Sequence, residues 1–311
     1  MSHPRSTALL TALADWLVNV NLAVAEAAAR GVQLTPALAR QSLAGVTQMF
    51  GGQGPELPDV HDFTLPECPD ILLRSYDPAP GRPGPLVVYL HGGGHVAGSI
   101  AVYDPIIRRV AQHTGCRTIA IDYRLAPEHP YPQGLDDCAA VVRALSAVPG
   151  TPGLIVAGDS GGGALAASLS AQSITDPTLH ILGQILIYPS LDYTLSQPSI
   201  QTLARGYLLE AGRIRWYFDH YFRNNENRQA ASPLFMPVKG LPSTLLLTAG
   251  FCPLRDEGYA YAEQLKTADV ACQHVNLPDM IHAWLNIHTL IPDACDHAYR
   301  VMGDWVRKTG A

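Results

Sequence analysis

The stretch that most constrains this chain is Gly153-Leu-Ile-Val-Ala-Gly158-Asp159-Ser160-Gly161-Gly162-Gly163, followed by Ala164-Leu-Ala-Ala-Ser-Leu-Ser. It reads as a short apolar strand, a Gly-x-Ser-x-Gly turn and an Ala- and Leu-rich helix. A serine is lifted clear of a sheet edge only by a very tight turn, which needs residues without a Cβ on either side, here Gly158 and Gly162. The helix that follows aims its N-terminal backbone donors at negative charge developing beside the hydroxyl. With 27 glycines in the chain the five-residue string carries little alone, and its place between strand and helix gives it weight. The same letters also fit the nucleophile loop of chymotrypsin-like proteases, where the serine sits on a β-barrel loop. A serine that opens a helix, in a chain where helices alternate with strands, argues for the elbow.

That alternation runs through much of the sequence. Leu86–Leu90, Arg117–Asp122, Leu154–Ala157, Gln184–Tyr188, Thr244–Thr248 and Ala271–Leu277 read as buried strands. Helical spacing marks Leu135–Val148, Ser160–Ser173, Asp256–Ala268 and Asp293–Lys308. The fold class is therefore α/β, a mostly parallel central sheet flanked by helices. Ahead of it, His61–Tyr76 reads as two short strands around the turn Pro66-Glu-Cys-Pro-Asp. Helical spacing also covers Thr7–Arg30 and Pro36–Gln48. Between the strand at Gln184 and that at Thr244 the rhythm breaks into an aromatic, polar segment containing Trp216 to Phe222. The expected division is cap helices in 1–50, a catalytic domain in 51–190 and 233–311, and a helical cap insertion in 191–232 that packs with the N-terminal helices over the serine.

Composition narrows the function. Hydrophobic residues are 47% and charged ones 15%, enough for a large core and little sign of disorder. The net charge of −6 and scattered basic residues argue against a nucleic-acid surface. Six cysteines without a C-x-x-C pair suit reduced thiols and a cytoplasmic setting. The N-terminal Met1-Ser-His-Pro-Arg lacks a signal pattern. Asp15, Asn19, Asn21 and Glu26 interrupt the first apolar segment, so neither a signal peptide nor a membrane span is expected. Oligomeric state is left open, with a homodimer among the arrangements.

The chemistry-bearing residues follow. His91-Gly92-Gly93-Gly94 comes directly after a strand, and bare backbone N–H groups on three glycines suit an oxyanion hole. Gly93 and Gly94 would donate, joined by Gly161 just after the serine. An elbow serine needs an imidazole late in the chain, and His282, in the loop after the last strand, is the candidate base among twelve histidines. His288 and His297 lie on or near helices. Asp159 and Asp122 read as makers of loop and turn bonds. His91 and His95 are four apart, but no carboxylate or cysteine completes a zinc set, and no Rossmann fingerprint or P-loop is present. No metal and no cofactor is expected.

The His91-Gly-Gly-Gly box, the Gly158-Asp-Ser-Gly-Gly elbow and Asp122-Tyr-Arg-Leu-Ala-Pro-Glu-His-Pro together resemble the bacterial hormone-sensitive-lipase-like (family IV) esterases. So do Gly206-Tyr-Leu-Leu, the run Pro253-Leu-Arg-Asp-Glu-Gly258 and Ile281-His282. The matches are in order across roughly 70–285. The resemblance implies an α/β-hydrolase fold with a helical cap, and cofactor-free hydrolysis of short- to medium-chain acyl esters of small molecules. Cap aromatics Trp216, Tyr217 and Phe218 would wall the acyl pocket.

One position departs from that family. Its triad acid is an aspartate immediately before the Pro-Leu-Arg-Asp-Glu-Gly run, and here that position is Cys252. A thiol, with an ordinary pKa near about 8.5, is a poor acceptor unless ionised. Three readings stay open at this point. Asp256 or Glu257 supplies the carboxylate from a shifted loop, or a Ser–His pair works with Cys252 or a water holding the ring, or turnover is lost and a receptor-like ligand-binding protein remains. Asp256 also stands where an acid caps a helix. Amidase and lactonase are neighbouring activities.

Overall fold

In the computed structural model, which describes residues 9–309, the chain opens with helices α1 (Thr11–Ala29) and α2 (Pro36–Phe50). The expected start at Thr7 lies outside the described residues. Thr35 caps α2 by accepting from the Leu38 amide at 3.2 Å, and Pro36 fills the first helical position, where no N–H is needed. By length and composition α1 is apolar enough to cross a membrane. In this fold it buries Leu13 and Leu17 and leaves Val18, Leu22 and Val24 exposed, and its Asn21 Nδ2 donates to the Gly206 carbonyl at 3.1 Å.

Strands β1 (Asp59–Leu65) and β2 (Cys68–Asp77) pair antiparallel, then β3 (Leu86–Leu90), α3 (Ile100–Thr114), β4 (Thr118–Ile121), α4 (Gln133–Ser146), β5 (Leu154–Asp159), α5 (Gly161–Ser173) and β6 (Ile181–Ile187) follow. The β1–β2 turn is shorter than the sequence suggests, because Cys68, Pro69 and Asp70 already belong to β2. Between β6 and β7 (Ser243–Phe251) come α6 (Ser199–Thr202), α7 (Ala211–Tyr221) and α8 (Arg228–Ala231). Then α9 (Arg255–Thr267), β8 (Cys272–Ile281) and α10 (Pro292–Thr309) complete the chain.

The eight strands form one sheet in the order β1-β2-β4-β3-β5-β6-β7-β8, parallel from β4 through β8 and antiparallel at β1 and β2. Helices cover both faces, so the central strands are apolar on both sides and read as continuous runs. Tyr89, Ile155, Ile185 and Leu245 face α3 and α10, while Val88, Val156, Leu186 and Leu246 face α4, α5 and α9.

Helix α3 was not anticipated. Its signals are nonetheless present: Ser99 accepts from the Val102 amide at 3.2 Å, Tyr103, Ile106, Ile107, Val110 and Ala111 recur at helical spacing, and Gly115 closes it in the left-handed conformation at φ 69°. Pro105 inside the helix obscures the pattern.

Candidate active site

The turn between β5 and α5 holds Ser160 at φ 54° and ψ −119°, a strained conformation for a residue with a side chain. A Cβ on Gly162 would overlap the Leu90 carbonyl oxygen, and one on Gly158 the Gly162 carbonyl. The Ser160 amide donates to the Ile187 carbonyl at 2.9 Å, which fixes the turn to the neighbouring strand.

The second element is the crossing of β7 with β8. Pairing of the two strands shifts register between Ala249 and Phe251, where a Cβ on Gly250 would overlap the Pro278 carbonyl. Beyond the shift, Phe251 pairs with Ile281, so the next residues, Cys252 and His282, lie side by side. His282 Nε2 stands 2.9 Å from Ser160 Oγ, and its Nδ1 stands 3.1 Å from Cys252 Sγ. The Leu254 amide also donates to that sulfur at 3.3 Å. Tyr188 packs edge-on against the imidazole at 4.8 Å between ring centres.

Burial dominates the electrostatics of this line. It lowers the His282 pKa to about 3 and pushes the Cys252 thiol far up, so both groups are neutral near pH 7. The tautomer that lets Nε2 accept from the Ser160 hydroxyl carries its proton on Nδ1, facing the sulfur. The residue at the expected acid position is therefore an acceptor without charge.

Asp256 is not brought to the imidazole. It sits in the first turn of α9, where its Oδ1 accepts from Arg255 Nε at 2.7 Å, while its amide donates to Ser199 Oγ at 3.0 Å. Nor does its side chain cap the helix, whose N-cap position is Leu254. Glu257 is buried and accepts from the Leu191 amide at 2.6 Å and the Asp192 amide at 3.4 Å.

The loop after β3 supplies backbone donors. Gly93 and Gly94 adopt φ 116° and 62°, and the Gly93 carbonyl accepts from the Val96 and Ala97 amides at 3.2 and 2.9 Å. A Cβ on Gly161 would lie 3.3 Å from the Gly94 nitrogen, so the elbow and the loop abut. Among the described residues the amides of Gly93, Gly94 and Gly161 meet no acceptor. Asp159 fastens the loop to the elbow: Oδ1 accepts from the Gly92 amide at 2.9 Å and Tyr89 Oη at 3.0 Å, and Oδ2 from Tyr103 Oη at 3.1 Å. Burial raises its pKa to about 7 against these three donors.

These groups open into a cavity of about 130 Å³. Its walls come from α2 (Leu43, Val46), from the segment before α7 (Leu208) and from α7 itself (Ile214, Tyr217, Phe218). Of the three aromatics named from sequence, Tyr217 and Phe218 line it. Trp216 does not; its ring packs 4.1 Å from His220 and 5.2 Å from Tyr217. Sequence reasoning expected the N-terminal helices over the serine but named no wall residue of α2, and it missed His95. The latter lines the cavity, stacks on Tyr221 at 3.8 Å and meets Tyr193 Oη at 3.1 Å through Nε2. Among the described residues no group of three or more His, Cys, Asp or Glu side chains is placed to hold a metal ion.

Comparison with known proteins agrees with this geometry. The α/β-hydrolase fold family model matches residues 87–286. The chain is 36% identical to the carboxylic ester hydrolase LipN of Mycobacterium tuberculosis over 76% of its own length and 67% of that protein's. It is 33% identical to an ethyl acetate hydrolase of Pseudomonas putida, covering 82% of this chain and 85% of the relative. Among solved structures, an ester hydrolase from the Lake Arreo metagenome, bound to a bipyridine phosphonate derivative, superposes with a TM-score of 0.85 at 32% identity, over 96% of this chain and 98% of that one. A thermostable esterase from Pseudomonas putida gives 0.86 at 28% identity, over 98% and 99% of the two chains. A parallel sheet with a serine elbow, a late histidine and relatives of this kind leave one assignment: the chain belongs to the α/β-hydrolase fold family, among its hormone-sensitive-lipase-like carboxylesterases.

Proposed function

We propose that this protein hydrolyses carboxylic esters through an acyl-serine intermediate, with Ser160 as nucleophile and His282 as general base. The observation that carries the reading is the unbroken line Cys252–His282–Ser160, at 3.1 and 2.9 Å. Ser160 Oγ attacks the ester carbonyl as its proton passes to Nε2. The amides of Gly93, Gly94 and Gly161 hold the oxyanion, and the imidazolium then returns the proton to the leaving alcohol. Water, deprotonated by the same nitrogen, releases the acid. Cys252 fixes the ring by accepting from Nδ1, but a neutral sulfur stabilises the imidazolium less than a carboxylate does.

The apolar cavity favours short- to medium-chain esters, since a dry cavity of about 150 Å³ accommodates benzene. In this reading residues 1–50 and 191–232 act as a cap over the catalytic domain of 51–190 and 233–311. Six unpaired thiols favour a reducing, cytoplasmic setting.

The test is hydrolysis of 4-nitrophenyl butanoate together with labelling by an organophosphonate, which needs an activated serine. Turnover and a label on Ser160, both absent in Ser160→Ala, are expected. Binding of esters with neither turnover nor label would establish a receptor instead.

A further inference from the structure

Among the described residues, the cavity wall contains one arginine without an ion pair. Arg213 lines the cavity from the first turn of α7 and is half-buried, yet among the described residues it has neither a hydrogen-bond acceptor nor a carboxylate partner. Other arginines of this region are exposed or paired, as Arg228 is with Asp219 at 2.7 Å. Placement at a helix N-terminus adds to the anomaly, since the macrodipole there disfavours positive charge.

The surrounding groups do not answer it. Glu210, three residues earlier, gives an oxygen to the Gly206 amide at 3.1 Å and forms no ion pair with Arg213. Asp159 commits its oxygens to Tyr89, Tyr103 and Gly92, and His282 is neutral. Tyr217, one helical turn along, is a phenol that burial keeps neutral against the opposing charge of Arg213, and its ring lies over Gly94. The remaining wall near Arg213 is apolar, Leu208, Ile214 and Phe218.

A half-buried guanidinium in such a wall is partly shielded from water, and a planar carboxylate can occupy its fork with two parallel hydrogen bonds. Arg213 shares the cavity with Ser160 and lies one helical turn before Tyr217, the residue that covers the oxyanion loop. Because Arg213 and Ser160 line one small cavity, an anion held by the guanidinium lies only a few methylenes from the reacting carbonyl. We infer that Arg213 selects esters that carry a carboxylate a few carbons from the scissile bond, such as half-esters of short dicarboxylic acids. The inference deepens the esterase reading and rests on it.

The experiment compares kcat/KM for the 4-nitrophenyl half-ester of glutaric acid with that for neutral 4-nitrophenyl pentanoate, in the protein and in Arg213→Gln. A second arm places the carboxylate on the alcohol side, as the butanoyl ester of 4-hydroxybutanoate. The ratio of anionic to neutral substrate should fall about tenfold or more in the variant in one of the arms, the scale of a charge-assisted hydrogen bond. Its dependence on salt should shrink with it. An unchanged ratio in both arms overturns the inference while leaving the esterase intact. If no ester turns over, the esterase reading fails, and calorimetry decides this inference separately. Ser160→Ala should bind monobutyl glutarate at least tenfold more tightly than Ser160→Ala/Arg213→Gln, and equal affinities overturn it.

Discussion

At the scale of single residues, the proposed mechanism turns on Cys252. Its sulfur meets Nδ1 of His282 at 3.1 Å in the place where a carboxylate would sit, so a carboxylate introduced there has an acceptor geometry waiting for it. Cys252→Asp is expected to raise kcat on 4-nitrophenyl butanoate by up to about 10⁴, the scale of a lost triad aspartate in other serine hydrolases. The pH profile provides a separate check. Burial holds the His282 pKa at about 3, so the base is already deprotonated across the usual range and kcat/KM should show no acid limb between pH 5 and 8. An aspartate beside Nδ1 favours the imidazolium and raises that pKa, so the acid limb should move up into the measurable range. A rate unchanged by Cys252→Asp would mean that orienting the ring is all that position 252 supplies. Position 252 was legible in the sequence because the Pro253-Leu-Arg-Asp run fixes it. What the sequence left open was the choice among Cys252, Asp256 and Glu257. Spacing does not say where a side chain points, and here Arg255 and the amides of Leu191 and Asp192 occupy the two carboxylates.

At the scale of elements, the strand–turn–helix unit around Ser160 was legible because its constraints are local and steric. Helix α3 was not, since Pro105 interrupts the pattern. The upper end of β8 was missed for a related reason. Pro278 suggests a strand end, whereas the register shift opposite Gly250 accommodates it and carries β8 on to Ile281. The elbow gives a sharp test. A Cβ on Gly162 would overlap the carbonyl oxygen of Leu90 and crowd that of His91, and both are backbone with no flexible end to move aside. Gly162→Ala should therefore cost at least about 1–3 kcal/mol as overpacking, lowering the midpoint by several degrees in a chain of this size. Gly212, in α7, is the control: a Cβ there meets nothing within 4 Å. Gly212→Ala should leave the thermal midpoint unchanged or slightly raised, because alanine loses less backbone freedom than glycine on entering a helix. Melting followed by circular dichroism compares the two. Equal midpoints would show that α5 can shift off β3.

At the scale of the whole molecule, the cavity exists only because segments far apart in sequence meet above the C-terminal edge of the sheet. Composition and periodicity reveal α2 as amphipathic, but its partner is set by a few long-range bonds that no local pattern encodes. Arg40 makes most of them: Nε donates to the Val96 carbonyl at 2.8 Å, Nη2 to the Ala126 carbonyl at 3.1 Å, and the fork also grips Glu128 at 2.6 Å. The Glu128 pair is largely exposed, so its worth in water is small. The carbonyls of Val96 and Ala126 are different: Val96 follows the Gly93–Gly94 loop, Ala126 lies after β4 and donates its amide to the His95 carbonyl at 2.9 Å, and both carbonyls would lose the Arg40 donor outright. Arg40→Ala should therefore loosen α2, which carries Leu43 and Val46 of the cavity wall, without touching Ser160, His282 or Cys252. The expected result is a KM for 4-nitrophenyl butanoate raised several-fold with a smaller change in kcat, together with faster proteolysis in the 30–35 connection. Arg40→Lys should recover only part of the loss, since an ammonium cannot span two carbonyls and a carboxylate in one plane. Steady-state kinetics on the three proteins decide it. A fall in kcat at constant KM would place Arg40 in the support of the oxyanion loop instead, acting through Val96 rather than through the wall that α2 provides.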